Sequence, residues 1–250
     1  MVALKVLLAF LAVALIHLVD WAYFRFLHGG LKYPDYFVFM GLAIVLAWKG
    51  ILRRPLADLG LDLRQLKPIA REFLAGALRG GGLALACMIA GLILGNLELG
   101  TASVEPWQLL AKMAGYLVFV PLSAALEELH YRGVYLSALK SPNLRIPLVV
   151  FSSAVFSIVH LGHLDSYPPT YPISLFLLGV LWCLMRIRRL NIAVCIGAHS
   201  GWNFLLASLA PFFGDNTERY VEFAVYTPVL VGLAVAIEMV LLRKSRERKA

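Results

Sequence analysis

Residues 107–137 read "WQLLAKMAGYLVFVPLSAALEELHYRGVYLS". The stretch is mostly apolar for its first twenty residues, Gln108 and Lys112 lying near its start, and then it carries Glu127, Glu128 and Arg132 in a single turn and a half. A spanning helix needs roughly 20 apolar residues, so this segment is long enough to cross a bilayer and still hold charge within it. An ionised side chain at membrane depth costs several kcal/mol, about 2.5–3.5 on insertion scales, and persists where it is paired or functional. Glu128 and Arg132 stand four apart and can pair along one helix face. Glu127 points about 100° away from that face, so the same geometry leaves it unpaired.

The surrounding chain agrees with a lipid solvent. Of 250 residues, 60% are hydrophobic and 15% charged, and the mean hydropathy is +0.78. Soluble domains lie nearer about 45–50% and about 25%, so a soluble globule is excluded. Eight spans are expected, at about 2–24, 35–52, 73–96, 107–137, 144–163, 171–187, 190–211 and 223–242. Together they form one all-α polytopic membrane domain over residues 1–250, with the core helices at 107–210 around a mid-membrane polar cavity. The first span begins with Lys5 before an apolar run, as a signal peptide does. Its apolar stretch continues to Val19 and ends on "DWAYF", and it is read as an uncleaved helix. Residues 53–72, with interleaved basic and apolar side chains, are expected to lie along the membrane surface.

The net charge of +8 is distributed as a topology signal. Lys49, Arg53, Arg54, Arg64, Lys67 and Arg71 follow the second span, Lys140 and Arg145 the fourth, and Arg186, Arg188 and Arg189 the sixth. Lys5 lies near the start, and Arg243, Lys244, Arg246, Arg248 and Lys249 are in the tail. The alternate loops hold only Arg25, Lys32 and Arg219. Cytoplasmic loops carry the lysine and arginine excess, so both termini are expected in the cytoplasm, the membrane being a bacterial cytoplasmic one. The same distribution argues for contact with membrane lipid and against nucleic acid. Cys87, Cys183 and Cys195 each sit in an apolar run without a CxxC, and are expected to be buried and reduced.

Two further polar pairs lie inside the oil. "FSIVH" places Phe156 and His160 four apart, and "HSGWN" does the same for His199 and Asn203. At about 1.5 Å of rise per residue, Glu127, His160, His199 and Asn203 lie about 20, 22, 15 and 21 Å from their basic helix ends. Three helices therefore bring polar groups to one slab, where a water-filled cavity can form. Glu127 and His160 are candidates to hold and deprotonate a water. His199 and Asn203 are candidates to donate hydrogen bonds to the oxyanion formed when water attacks a carbonyl. No nucleophilic serine or cysteine is needed, and neither a cofactor nor a metal.

In this order, Glu127-Glu128-Arg132, Phe156-His160 and His199-Asn203 resemble the EExxxR, FxxxH and HxxxN motifs of the CAAX prenyl protease and bacteriocin-processing family, the type II CAAX endopeptidases. The resemblance covers about residues 107–210. Each motif alone is a weak signal and the three together are a strong one. The resemblance implies an eight-helix glutamate-type intramembrane protease with Glu127 as base aided by His160, and His199 and Asn203 as the oxyanion hole. Glu128 and Arg132 would be structural support, with Phe156 packed beside them. Tyr131 stands where the family often has phenylalanine. The substrate expected is a membrane-associated peptide or protein without a prenyl group.

Three other readings share these residues. His160 and His163 in "HLGH", with a glutamate, have the makings of a metal site. A buried carboxylate–histidine relay would also serve a proton-coupled transporter, although no inverted repeat is visible. A non-catalytic immunity partner would keep the helices and need none of the chemistry.

Overall fold

The computed structural model describes residues 41–60, 62, 64–100, 104–138, 145–160, 170–213 and 226–247. These residues contain seven helices and no strand: α1 Gly41–Ile51, α2 Leu66–Ile93, α3 Pro106–Val134, α4 Arg145–Val159, α5 Thr170–Arg189, α6 Ala193–Phe212 and α7 Tyr226–Glu247. Helices are the expected outcome, because a backbone in hydrocarbon must satisfy every N–H and C=O within its own segment. Five of them, α2, α3, α5, α6 and α7, are long and apolar enough to cross a membrane. The first expected span and the start of the second lie outside the described residues.

Local chemistry sets several helix ends. Before α3, Glu105 and Gln108 form a reciprocal capping box and Pro106 takes the first helical position, where its missing N–H costs nothing. The helix then continues through Pro121. α5 ends on Leu190, which adopts a left-handed φ of 56°, after a last turn containing Arg186, Arg188 and Arg189 that complements the helix dipole. Asn191 Oδ1 accepts the Ala193 N–H at 2.9 Å and starts α6.

The expected surface segment 53–72 is divided. Residues 66–72 belong to α2, with Pro68 in its first turn. Residues 55–60 fold back against the bundle as a short 3₁₀ turn, Leu56–Leu59, ending at Gly60. Gly60 has a φ of +94°, and a Cβ there would run into the Arg186 guanidinium. Its carbonyl accepts the Ile192 N–H at 3.1 Å, which joins the loop after α1 to the loop between α5 and α6. Gly100 N–H likewise donates to the Phe212 carbonyl at 2.8 Å. The first pairing joins two basic loops and the second joins two segments expected to face the other side. This is the alternation that the charge distribution calls for.

α6 is the most enclosed span, and α3 and α7 are mostly exposed to the surroundings. The most extensive helix pair is α2 with α6, and its sequence basis is a double GxxxG. Gly76 and Gly80 face Gly197 and Gly201, so the two backbones approach as closely as small residues permit. A Cβ on Gly76, Gly80, Gly197 or Gly201 would collide with the backbone of Val194, Ala198, Phe73 or Ala77 respectively. Backbone cannot swing aside as a side chain does. Gly80→Ala is therefore expected to lower stability by about 1–3 kcal/mol, the usual range for overpacking. Gly82→Ala, where the added methyl meets nothing within 4 Å, should leave it within about 0.5 kcal/mol. Unfolding in mixed micelles measures both, and equal stability of the two variants would remove the seam from the account.

The cysteines are as expected: Cys87, Cys183 and Cys195 are all free and buried. A second ion pair, which sequence reading did not single out, ties α5 to α7. There Arg188 donates from Nε and Nη2 to the two oxygens of Glu238, the Nη2 contact being 3.2 Å.

Candidate active site

Glu127, Phe156, His160, His199 and Asn203 line one cavity of about 110 Å³. Leu175, Leu178, Trp182 and Trp202 complete its wall. Four helices contribute: α3 brings Glu127, α4 brings Phe156 and ends beside His160, α5 brings the leucines and Trp182, and α6 brings His199 and Asn203. The polar residues that the sequence places at a shared depth therefore also share a space.

Glu127 Oε2 lies 3.9 Å from His160 Nε2 and 3.9 Å from His199 Nε2. Both separations are too long for a direct hydrogen bond and suit one bridging water. The other oxygen, Oε1, accepts from Ser123 Oγ at 3.4 Å, one turn earlier on α3. Oε2 itself is buried and has no hydrogen-bond partner among the described residues. A buried carboxylate oxygen left unbonded is unusual, and here it faces two imidazoles across the cavity.

The partners of the histidines assign their protons. His160 Nδ1 is 2.7 Å from the Phe156 carbonyl. A carbonyl only accepts, so Nδ1 carries the proton, and in the neutral ring Nε2 presents its lone pair to Glu127. His160 lies one residue beyond the end of α4, where its N–H closes a turn on the Ser157 carbonyl at 3.2 Å. The helix is described to Val159, and the rest of the expected span beyond His160, His163 included, lies outside the described residues. His199 Nδ1 is 3.0 Å from Glu128 Oε1. With Glu128 ionised, this nitrogen also carries its proton, and Nε2 donates only when His199 holds both.

Glu128 is fully buried, as is Arg132, whose Nη1 donates to the same Oε1 at 3.0 Å. The expected i, i+4 pair is present, and His199 is the third member that spacing along one helix did not reveal. Between them the helix widens into a π turn over Leu129–Val134. Such turns cluster at functional sites because the extra residue re-aims side chains. Ser152 on α4 takes up the carbonyl of Tyr131 in this turn at 2.7 Å.

Aromatic faces enclose the charge. The Arg132 guanidinium carbon lies 4.4 Å from the Phe156 ring centre, 5.2 Å from Trp182 and 5.7 Å from Tyr131. These cation–π contacts surround a guanidinium whose Nε and Nη2 have no hydrogen-bond partner among the described residues. Trp182 also stacks on His199, with centroids 4.4 Å apart and planes 19° apart, and Phe156 meets His199 edge to face at 6.0 Å. Phe156 therefore joins the ion pair to both histidines. Trp182 was not singled out by sequence reading. Its only signal was an aromatic residue on the span between the two histidine helices, which is indistinguishable there from ordinary core.

Among the described residues no group of three His, Cys, Asp or Glu side chains is arranged to hold a metal ion. Residues 106–205 match a family model described as type II CAAX prenyl endopeptidase Rce1-like. No curated protein and no solved structure matches the chain.

Proposed function

We propose, from the match of residues 106–205 to the type II CAAX prenyl endopeptidase family model, that this integral membrane chain is an intramembrane endopeptidase. Its substrate would be a membrane-associated peptide or protein, cut by a water molecule that Glu127 and His160 activate. The observation that carries the reading is the position of Glu127 Oε2, unbonded among the described residues and 3.9 Å from both His160 Nε2 and His199 Nε2.

In this mechanism a water donates one hydrogen to Glu127 Oε2 and the other to His160 Nε2, both acceptors. Its lone pair is then free for the carbonyl carbon of the scissile bond. As the C–O bond forms, the water proton passes to the carboxylate. The Asn203 amide donates to the developing oxyanion, and His199 Nε2 does so when that nitrogen carries a proton. The protonated Glu127 returns its proton to the leaving nitrogen as the C–N bond breaks. Glu128 and Arg132 hold His199 and the π turn in place, and Phe156 packs between them. The apolar half of the cavity excludes bulk water, which strengthens each of these interactions.

The basic loops that meet at Gly60 and Ile192 support a cytoplasmic location for that face and for both termini, the membrane being a bacterial cytoplasmic one. The single integral membrane unit, with its working core at 107–210, and a substrate without a prenyl group belong to the same proposal.

Purified protein in proteoliposomes, given a dye-labelled membrane-anchored peptide with a metal chelator present, is expected to cleave it. Asn203→Ala is expected to lower kcat by about 10² to 10³, the usual loss of one oxyanion donor. Product masses locate the cut. Flux of a solute without any cleavage would support a transporter in place of this reading.

A further inference from the structure

We propose that the surface around Arg79 binds the phosphate of an anionic phospholipid. Arg79 lies on the spanning helix α2 and is exposed. Its neighbours along the helix, Leu74 and Leu78, are 59% and 70% exposed, so this face of α2 meets acyl chains. An arginine among such leucines needs an anion, because a bare guanidinium in contact with lipid is costly.

Among the described residues the protein supplies none that is free. Arg79 makes no ion pair or hydrogen bond among the described residues, and the acids within its electrostatic reach are already engaged. Glu238 is taken by Arg188 in a bidentate pair. Glu72 is shared by Arg71 at 3.5 Å and Arg189 at 3.6 Å. Two carboxylates thus face four arginines, and the surplus positive charge collects where Arg79 opens to the surroundings.

The depth of the site suits a headgroup. Gly80, the next residue, packs on Ala198, little more than one turn into α6, and Arg188 and Arg189 are in the last turn of α5. Arg79 therefore lies within side-chain reach of the basic face of the bundle. Its stem runs along apolar surface while its head reaches toward the phosphate layer. Deeper along α2, away from its basic end, Leu85 and Ile89 are 45% and 47% exposed and can hold the acyl chains, which a free phosphate ion lacks.

Native mass spectrometry of the delipidated full-length protein tests this, with phosphatidylglycerol, phosphatidylcholine and inorganic phosphate titrated separately. Phosphatidylglycerol should be retained by the wild type and by Arg79→Lys, and retention should fall about fivefold in Arg79→Gln. Arg243→Gln, a charge-matched control on the exposed tail of α7, should behave as wild type. Phosphatidylcholine should bind all four proteins alike, and inorganic phosphate should not displace the anionic lipid. The proposal is overturned if Arg79→Gln keeps the lipid, if Arg243→Gln loses as much, or if free phosphate displaces it. The thermal midpoint of each variant without lipid separates lost binding from lost fold, and none of these readouts depends on peptide cleavage.

Discussion

Glu127→Gln protein is expected to fold as the wild type does and to cleave peptide about 10² to 10⁴ times more slowly, the range a general base contributes. Two features of the site separate the activity from the fold. The Oε2 of Glu127 faces the cavity without a hydrogen-bond partner among the described residues, so neutralising it strands no donor. Its Oε1 contact with Ser123 is 3.4 Å long, and a glutamine oxygen can accept the same hydroxyl. The amide cannot take the proton of an attacking water. Initial rates on the labelled peptide, set beside the thermal midpoint, measure the two effects independently. Cleavage within a factor of two of wild type, with the fold intact, would end the proposed mechanism.

Glu128→Gln is expected to do the opposite first. Glu128 and Arg132 are both fully buried, and one carboxylate oxygen accepts from Arg132 and from His199, each at 3.0 Å. Removing one partner of a buried pair leaves an uncompensated charge and costs about 3–5 kcal/mol. The aromatic faces around Arg132 offset part of this, since a cation–π contact is worth about 0.5–2 kcal/mol, but they are already present in the wild type and cannot grow to replace the carboxylate. The variant should unfold at a much lower detergent challenge. What remains folded should be less active, because a neutral amide oxygen holds the His199 Nδ1–H more weakly than the carboxylate does. A Glu128→Gln protein with wild-type stability would show that the pair is not what holds the π turn, and the assignment of support to Glu128 and catalysis to Glu127 would then fail. The adjacent glutamates thus have distinguishable signatures, one in rate and one chiefly in stability.

Much of this was legible beforehand. The apolar runs announced helices because lipid permits little else, and α3, α5, α6 and α7 fall within a few residues of their expected limits. Glu128–Arg132 was readable because four residues on a helix make neighbours. The shared depth of Glu127, His160, His199 and Asn203 was readable because rise per residue is nearly constant. Less legible were the features that depend on which faces of different helices meet. The α2–α6 seam was encoded in two GxxxG pairs, and each looked like ordinary glycine in a membrane span until the partner was known. His199 as a ligand of Glu128, Trp182 stacked on that histidine and Glu238 paired with Arg188 all join residues 50 or more positions apart or on different spans. The start of α2 at Leu66, and not at the expected residue 73, was hidden because its first turns carry Lys67 and Arg71, which read as surface.

By itself, then, the chain's order of residues determined that this is a helical membrane protein, which loops share a side, and which polar groups lie at one level of the bundle, since burial in lipid and helical rise act along one segment at a time. Only the tertiary arrangement decided which way each helix is turned about its axis. That rotation leaves one oxygen of Glu127 open to the cavity and seals Glu128 between an arginine and an imidazole. The physical reason is that rotation is set by close packing between distant segments, where a single methyl at Gly80 or Gly197 would hold two spans apart.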